Sequence, residues 1–362
     1  MTAVTTSDTT IEDVLIVGFG AVGVIYALIL SKTDSLRVTV IARGNYEKVS
    51  AKGIDIKSKK HGDVPGWKPD RVVRSVEEAA DRQYKYVLVT TKALPDINPT
   101  PQILAPLLAS GYVSKYTLPT FVILQNGLGV ERDLYEAVRS AWSASEPRIL
   151  SAAVYIQANL VGGRDVVEQG PFDRLVCGTY RPKPETTNNP QNTFEENQQL
   201  EAFAKLIQAG NGDIEIVPDI QRKKFAKNLW NLSFAAFATL VRQPCPAFFW
   251  DESRAKIRPT LTKILQEAIS VARALGYSEE AVPSSLVEQT IEDTGNLHRP
   301  GKPSTHKPSM LVDIETKRPL EVEAIFGEVV RIGRKQELNI PILETIYALL
   351  QVTQAGLVKG VY

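Results

Sequence analysis

Cysteine is scarce in this 362-residue chain: Cys177 and Cys245 are the whole supply, which excludes a disulfide framework and any paired-thiolate metal site. Histidine is nearly as rare. His61, His298 and His306 are far apart and stand in no H-E-x-x-H context, so each reads as a surface or loop residue and no metal is implied. An excess of either charge is also missing. With 42 basic and 41 acidic residues the net charge is +1, which offers no broad field for nucleic acid or an anionic membrane and leaves small molecules as the expected partners. No apolar run approaches the ~20 residues of a membrane span. Residues 1–10 are polar, with neither a basic n-region nor an apolar h-region, and Gly360-Val361-Tyr362 matches no retention or peroxisomal tripeptide, so the expected location is the cytoplasm.

What the chain does have is an ordinary globular composition, 43% hydrophobic and 23% charged, and length for two domains. The apolar run Asp13-Val14-Leu15-Ile16-Val17 passes into Gly18-Phe19-Gly20-Ala21-Val22-Gly23 and then into a second apolar stretch. This is strand, tight turn and helix. Gly18 makes the turn, Gly20 lets a pyrophosphate approach the main chain, and Gly23 lets helix and strand pack closely, with the helix N-terminus facing the phosphates.

Further short β-rich runs at 37–43, 86–92 and 121–127 alternate with longer helical segments, the pattern of a doubly wound parallel sheet whose ligands lie outside the carboxyl ends of the strands. Lys92 and Asn126 stand at such ends. A small strand at 53–58 and later ones at 151–156, 174–178 and 214–218 complete the sheet, whereas 181–197 reads as an exposed excursion. Beyond Pro218 the pattern turns helical, at 221–241, 253–275, 284–294 and 320–337, with Pro319 suited to a helix start. The expected division is therefore a Rossmann-type α/β domain over 1–218 and an all-helical domain over 219–362 that serves the substrate and dimerisation.

At the end of the second strand the chain offers Arg43, and no carboxylate before Glu47, where an NAD site would place an acidic residue. A 2′-phosphate would meet a guanidinium there, which favours NADPH; the bland alternative is a solvated loop arginine. In the helical half Lys227 and Asn231 share a face at the spacing i, i+4. A lysine poised between water and core loses proton affinity and becomes a useful proton donor to a carbonyl oxygen. Ser309 could bind a carboxylate and Glu321 a substrate hydroxyl. Taken singly, Lys227 reads as a solvated lysine, Ser309 as a helix N-cap and Glu321 as a first-turn carboxylate on the helix dipole.

The order of these pieces, Gly18 to Gly23, Thr91-Lys92-Ala93, Gln125-Asn126-Gly127, Lys227 with Asn231, Ser309-Met310-Leu311-Val312-Asp313-Ile314, and Glu321 ahead of Gly327, resembles the ketopantoate reductase family over nearly the whole chain. The resemblance implies NADPH-dependent reduction of 2-dehydropantoate to (R)-pantoate in pantothenate and coenzyme A synthesis, in a cleft between a Rossmann domain and a helical one. It implies Lys227 as the general acid and Glu321 as the group that orients lysine and substrate. Asn231 and Ser309 would hold the substrate hydroxyl and carboxylate, Asn126 would meet cofactor and substrate, and Lys92 would help position both. Two departures stand out: Ala235 occupies the place of a further family asparagine, and His306-Lys307-Pro308 replaces an asparagine-containing approach to the serine. Another branched or aromatic 2-keto acid, reduced by a D-2-hydroxy acid dehydrogenase, is therefore the alternative within the class. A noncatalytic NADPH sensor would have no need of Lys227, Ser309 and Glu321 together. A homodimer is compatible with all of these.

Overall fold

The computed structural model describes residues 11–163, 165–183, 190–298, 304 and 306–361. Its strands are β1 (Glu12–Val17), β2 (Leu36–Ile41), β3 (Ile54–Ser58), β4 (Gly62–Trp67), β5 (Arg71–Val73), β6 (Tyr86–Val89), β7 (Thr120–Ile123), β8 (Ile149–Val161), β9 (Val166–Thr179) and β10 (Ile214–Ile216). They form one sheet in the order β4-β3-β9-β8-β7-β6-β1-β2-β5, with β10 beside β9. The run β5-β2-β1-β6-β7-β8 is parallel throughout, as the apolar runs foretold. β1 shows why these runs are continuous rather than alternating: Val14 and Ile16 enter the apolar cluster on one face of the sheet, Leu15 and Val17 the cluster on the other.

Beyond β8 the sheet departs from the expected all-parallel form. The strands expected at 151–156 and 174–178 are the inner ends of a long antiparallel hairpin of β8 and β9, and β3 runs antiparallel to β4. β4 carries Gly62, Pro65 and Gly66, which hide a strand from pattern reading. The excursion expected at 181–197 is also shorter. Residues 184–189 lie outside the described residues, but Thr193 and Glu196 form a capping box that starts the helix Phe194–Ala209, and Arg181 is tied to Glu196 at 2.7 Å and to the Pro218 carbonyl at 2.6 Å.

His61 lies in the turn between β3 and β4, in keeping with a loop residue, but it is not at the surface. Its side chain is wholly buried, with Nε2 2.5 Å from Asp173 Oδ2, while Lys60 Nζ lies 2.6 Å from Asp173 Oδ1. The turn between β3 and β4 folds back against β9, a pairing between segments distant in sequence.

From residue 219 the described chain is helical. Asp219 caps the helix Ile220–Trp230, its carboxylate accepting from the Arg222 N–H at 3.2 Å. That helix continues through a π-helical turn, Asn231–Ala235, into Ala236–Val241. The helices Asp251–Ala274, Leu286–His298, Ser309–Glu315, Glu328–Lys335 and Pro341–Val358 enclose a core that includes Phe225, Phe234, Leu265, Phe326 and Leu350. Pro319 does not start a helix as expected: Leu320 first donates its N–H to Gln354 Oε1 at 2.8 Å, and a second π-helical turn, Glu323–Gly327, precedes Glu328–Lys335. Among the described residues no helix is long and apolar enough to cross a membrane.

Candidate active site

The glycine-rich turn has the backbone geometry that its spacing calls for. Gly18 has φ +107°, and a Cβ there would lie 2.8 Å from the Thr91 nitrogen; a Cβ on Gly23 would lie 2.0 Å from the Gly18 carbonyl. Gly20 differs, since a Cβ on it would meet nothing within 4 Å, which leaves open space at the start of the helix Ala21–Ser31. No side chain caps that helix, and its first turn holds no acidic residue, so its free N–H groups suit a phosphate. The buried Asn45 braces the turn by donating from Nδ2 to the Phe19 carbonyl at 3.2 Å. Phe19 is buried beside Trp67, and Ala21 and Val22 are half-buried.

Arg43 stands exposed just past β2 and makes no ion pair among the described residues. Arg74 follows β5 on the neighbouring strand, bound to Glu47 at 2.6 Å and lying over the Tyr46 ring. Among the described residues no carboxylate stands between the end of β2 and Glu47, and Glu47 is taken up by Arg74.

A second group of side chains gathers where β6 and β7 end. Lys92 Nζ donates to Asp313 Oδ2 at 2.7 Å and lies 3.6 Å from Glu321 Oε2, while Glu321 Oε1 accepts the Ala93 N–H at 2.9 Å. Both carboxylates are buried. Burial opposes the charge on Lys92, but Glu321 and Asp313 outweigh it and hold the lysine above its ordinary pKa. Glu321 is thus no solvated first-turn carboxylate: it links the strand-end loop to the helical part.

Lys227 is half-buried, and its Nζ donates to Asn126 Oδ1 at 2.7 Å and sits 5.9 Å from the centre of the Tyr155 ring. Burial pulls its pKa down to about 8, with Glu321 acting upward and Lys224 downward. Asn231 lies on the same helical face, its Nδ2 3.5 Å from Asn228 Oδ1, and Asn228 in turn donates to the Ile325 carbonyl at 2.9 Å. Asn126, Lys224, Lys227, Asn228 and Asn231 line one small cleft whose opposite wall is Ala152 and Ala153 of β8. The cleft meets the second π-turn as well, because the Leu128 N–H donates to the Ala324 carbonyl at 2.8 Å.

The structure therefore brings Lys92, Asn126, Lys227, Asn231 and Glu321 together. Ser309 stands apart, exposed at the first position of its helix and outside the lining of that cleft, and Pro308 rather than Ser309 occupies the N-cap. Sequence reasoning passed over Asp313, although its spacing of four from Ser309 puts both on one helical face. It also passed over Lys224, three residues before Lys227, and Asn228, which shares a helical face with Lys224 and Asn231.

Of the other two histidines, His306 lies in a loop and is half-buried, whereas His298 is buried at the end of the helix Leu286–His298. Their rings stack 5.4 Å apart, His306 lies against Trp230, and burial, reinforced by His306, pushes His298 down to about 4. Among the described residues no cluster could hold a metal ion.

Two family models match the chain: "Ketopantoate reductase PanE/ApbA" over residues 14–182 and "Ketopantoate reductase PanE/ApbA C terminal" over 219–354. An uncharacterized protein of Saccharomyces cerevisiae is 28% identical over 354 residues, covering 95% of this chain and 94% of that protein. A 2-dehydropantoate 2-reductase structure from Geobacter metallireducens is 26% identical with a TM-score of 0.74, covering 94% of this chain and 99% of its own. A D-mandelate dehydrogenase solved with NADH and anilino(oxo)acetate shares the fold at 18% identity and a TM-score of 0.73, covering 96% of this chain and 99% of that one.

Proposed function

The chain belongs to the ketopantoate reductase family and is an oxidoreductase of 2-keto acids that uses a nicotinamide cofactor, and from that premise we propose that it reduces 2-dehydropantoate to (R)-pantoate with NADPH. The observation that carries this reading is the half-buried Lys227, held by Asn126 at the end of β7 and drawn down to about pKa 8 by burial. In this reading 1–218 is the nucleotide-binding domain and 219–362 the substrate domain.

The open space over Gly20 and the uncapped helix start fit a dinucleotide pyrophosphate, and Gly18 to Gly23 would hold it. Arg43 would take the 2′-phosphate. A reduced nicotinamide bound there supplies the hydride for the keto carbon. Lys227 gives its proton to the keto oxygen as negative charge develops on it, and Asn126 fixes the direction of that ammonium. Glu321 keeps Lys92 charged and raises the proton affinity of Lys227. Asn231 and Lys92 would face the substrate, and Ser309 has no part in this reading because it stands exposed outside the cleft.

The experiment is steady-state oxidation of NADPH and of NADH with 2-dehydropantoate beside branched and aromatic 2-keto acids. NADPH-selective turnover of 2-dehydropantoate upholds the reading. Faster turnover of another 2-keto acid makes the chain a D-2-hydroxy acid dehydrogenase, the outcome that Ala235 would then explain. NADPH binding with no turnover of any substrate makes it a sensor. Arg43→Ala tests the cofactor edge separately. Its KM for NADPH should rise about tenfold, the value of one charged contact to phosphate, with the KM for NADH hardly changed. An equal loss for both cofactors would make Arg43 a structural residue.

A further inference from the structure

Beneath the cleft lies a buried polar group that the reading above does not use. Lys224, Glu131 and Ser151 are almost wholly excluded from solvent. Lys224 Nζ pairs with Glu131 Oε1 and donates to Ser151 Oγ at 3.2 Å, and the Ser151 hydroxyl itself donates to Glu131. Glu131 comes from the loop after β7 and Ser151 from β8, so the lysine is held from two elements. An ammonium on a four-carbon stem normally swings toward water, but this one is held in place. It stands one helical turn before Lys227, and both line the same cleft.

We propose that Lys224, pinned by Glu131 and Ser151, is a positioning residue that fixes a second positive charge beside Lys227 and thereby sets the pH range over which Lys227 holds its proton. The proposal rests on the reading of Lys227 as proton donor only where it concerns the reaction rate. The groups facing Lys227 are few. Asn126, from the loop after β7, is a neutral acceptor, and Tyr155 of β8 is a phenol that burial keeps neutral. Glu321, from the stretch before the second π-turn, is the opposing carboxylate, and Lys92 beside it partly satisfies its charge. Lys224 is the only cation from the helix of Lys227 that lines the cleft with it. Like charges one turn apart in a site shielded from water disfavour double protonation, so Lys224 acts against Glu321.

The test has two readouts on the full-length protein. The first is the rate of acetylation of Lys227 by acetic anhydride against pH, followed by peptide mass spectrometry on cofactor-free protein, which needs no turnover. The second is the pH profile of 2-keto acid reduction. In Lys224→Met the labelling midpoint should rise by roughly one pH unit, with an about fivefold lower rate at pH 8, and the alkaline limit of reduction should move up with it. Lys224→Arg, which keeps the charge, should restore the wild-type midpoint. Lys224→Met leaves Glu131 buried without a counter-charge, so the double variant Lys224→Met/Glu131→Gln, which removes both charges and keeps an acceptor for Ser151, guards against a folding failure. An unchanged labelling midpoint in folded Lys224→Met, or in the double variant relative to Glu131→Gln alone, overturns the inference. A shifted midpoint with an unshifted rate profile upholds it and removes Lys227 from the proton-donor role instead.

Discussion

Lys227→Ala should lower kcat for 2-keto acid reduction by ~10²-fold or more while leaving the affinity for NADPH nearly unchanged, the size of effect expected when a positioned general acid is lost. The asymmetry follows from where the lysine sits. Its ammonium contacts Asn126 and faces a cleft that it shares with Asn231, on the helical side of the site, whereas the glycine-rich turn is built by β1 and the helix Ala21–Ser31. Removing it deletes the donor and leaves the phosphate cradle intact. The same residue dictates a pH dependence. Reduction needs the charged lysine, and burial has lowered its pKa to about 8, so kcat should be constant at lower pH and fall as pH rises through that value. Stopped-flow or steady-state NADPH oxidation from pH 6 to 10 measures both effects. Wild-type turnover in Lys227→Ala, or a profile that rises through pH 8, would sink the assignment.

The second large effect lies at a residue with no side chain. Gly127 follows Asn126 with φ +92°, and a Cβ on it would lie 2.3 Å from the Ala324 carbonyl, in the π-turn Glu323–Gly327. Gly127→Ala therefore combines backbone strain of ~1–2 kcal/mol with a clash costing a further ~1–3 kcal/mol. Neither contact can relax without moving Asn126 or the π-turn, and Asn126 carries the acceptor that aims Lys227. Thermal unfolding should show a Tm lower by on the order of 5 °C or more, and kcat/KM should fall ~10²-fold through misplacement of the donor. Differential scanning fluorimetry with NADPH titration separates this from a cofactor defect. A variant with full activity and unchanged Tm would show that the strand-end loop and the π-turn are not mechanically joined.

The local signals were readable where function demands a conformation of the backbone itself. Gly18 acts through its φ of +107° and Gly20 and Gly23 through their missing side chains, and a pattern of short apolar runs reports a parallel sheet because both of its faces are buried. Lys227, Asn126, Lys92 and Glu321 could be named as well, through the resemblance of their order to a known family. Their contacts could not. Lys92 finds Asp313, and Ala93 finds Glu321, across more than half the chain. His61 misled for the same reason, since its partner Asp173 reaches it only when β3 pairs with β9.

By itself, then, the amino-acid order determined the glycine-rich turn, the parallel sheet, the helical second half and the residue types in the cleft. Tertiary structure alone decided the antiparallel extension of the sheet through β8 and β9, the meeting of the second π-turn with the strand-end loop, and the position of Ser309 outside the cleft. It alone pinned Lys224, one helical turn from Lys227, with Glu131 and Ser151. The physical reason is one of range. Backbone conformation and hydrophobic period are written in neighbouring residues, whereas the proton affinity of a lysine depends on burial and on charges that long-range packing brings within a few ångströms.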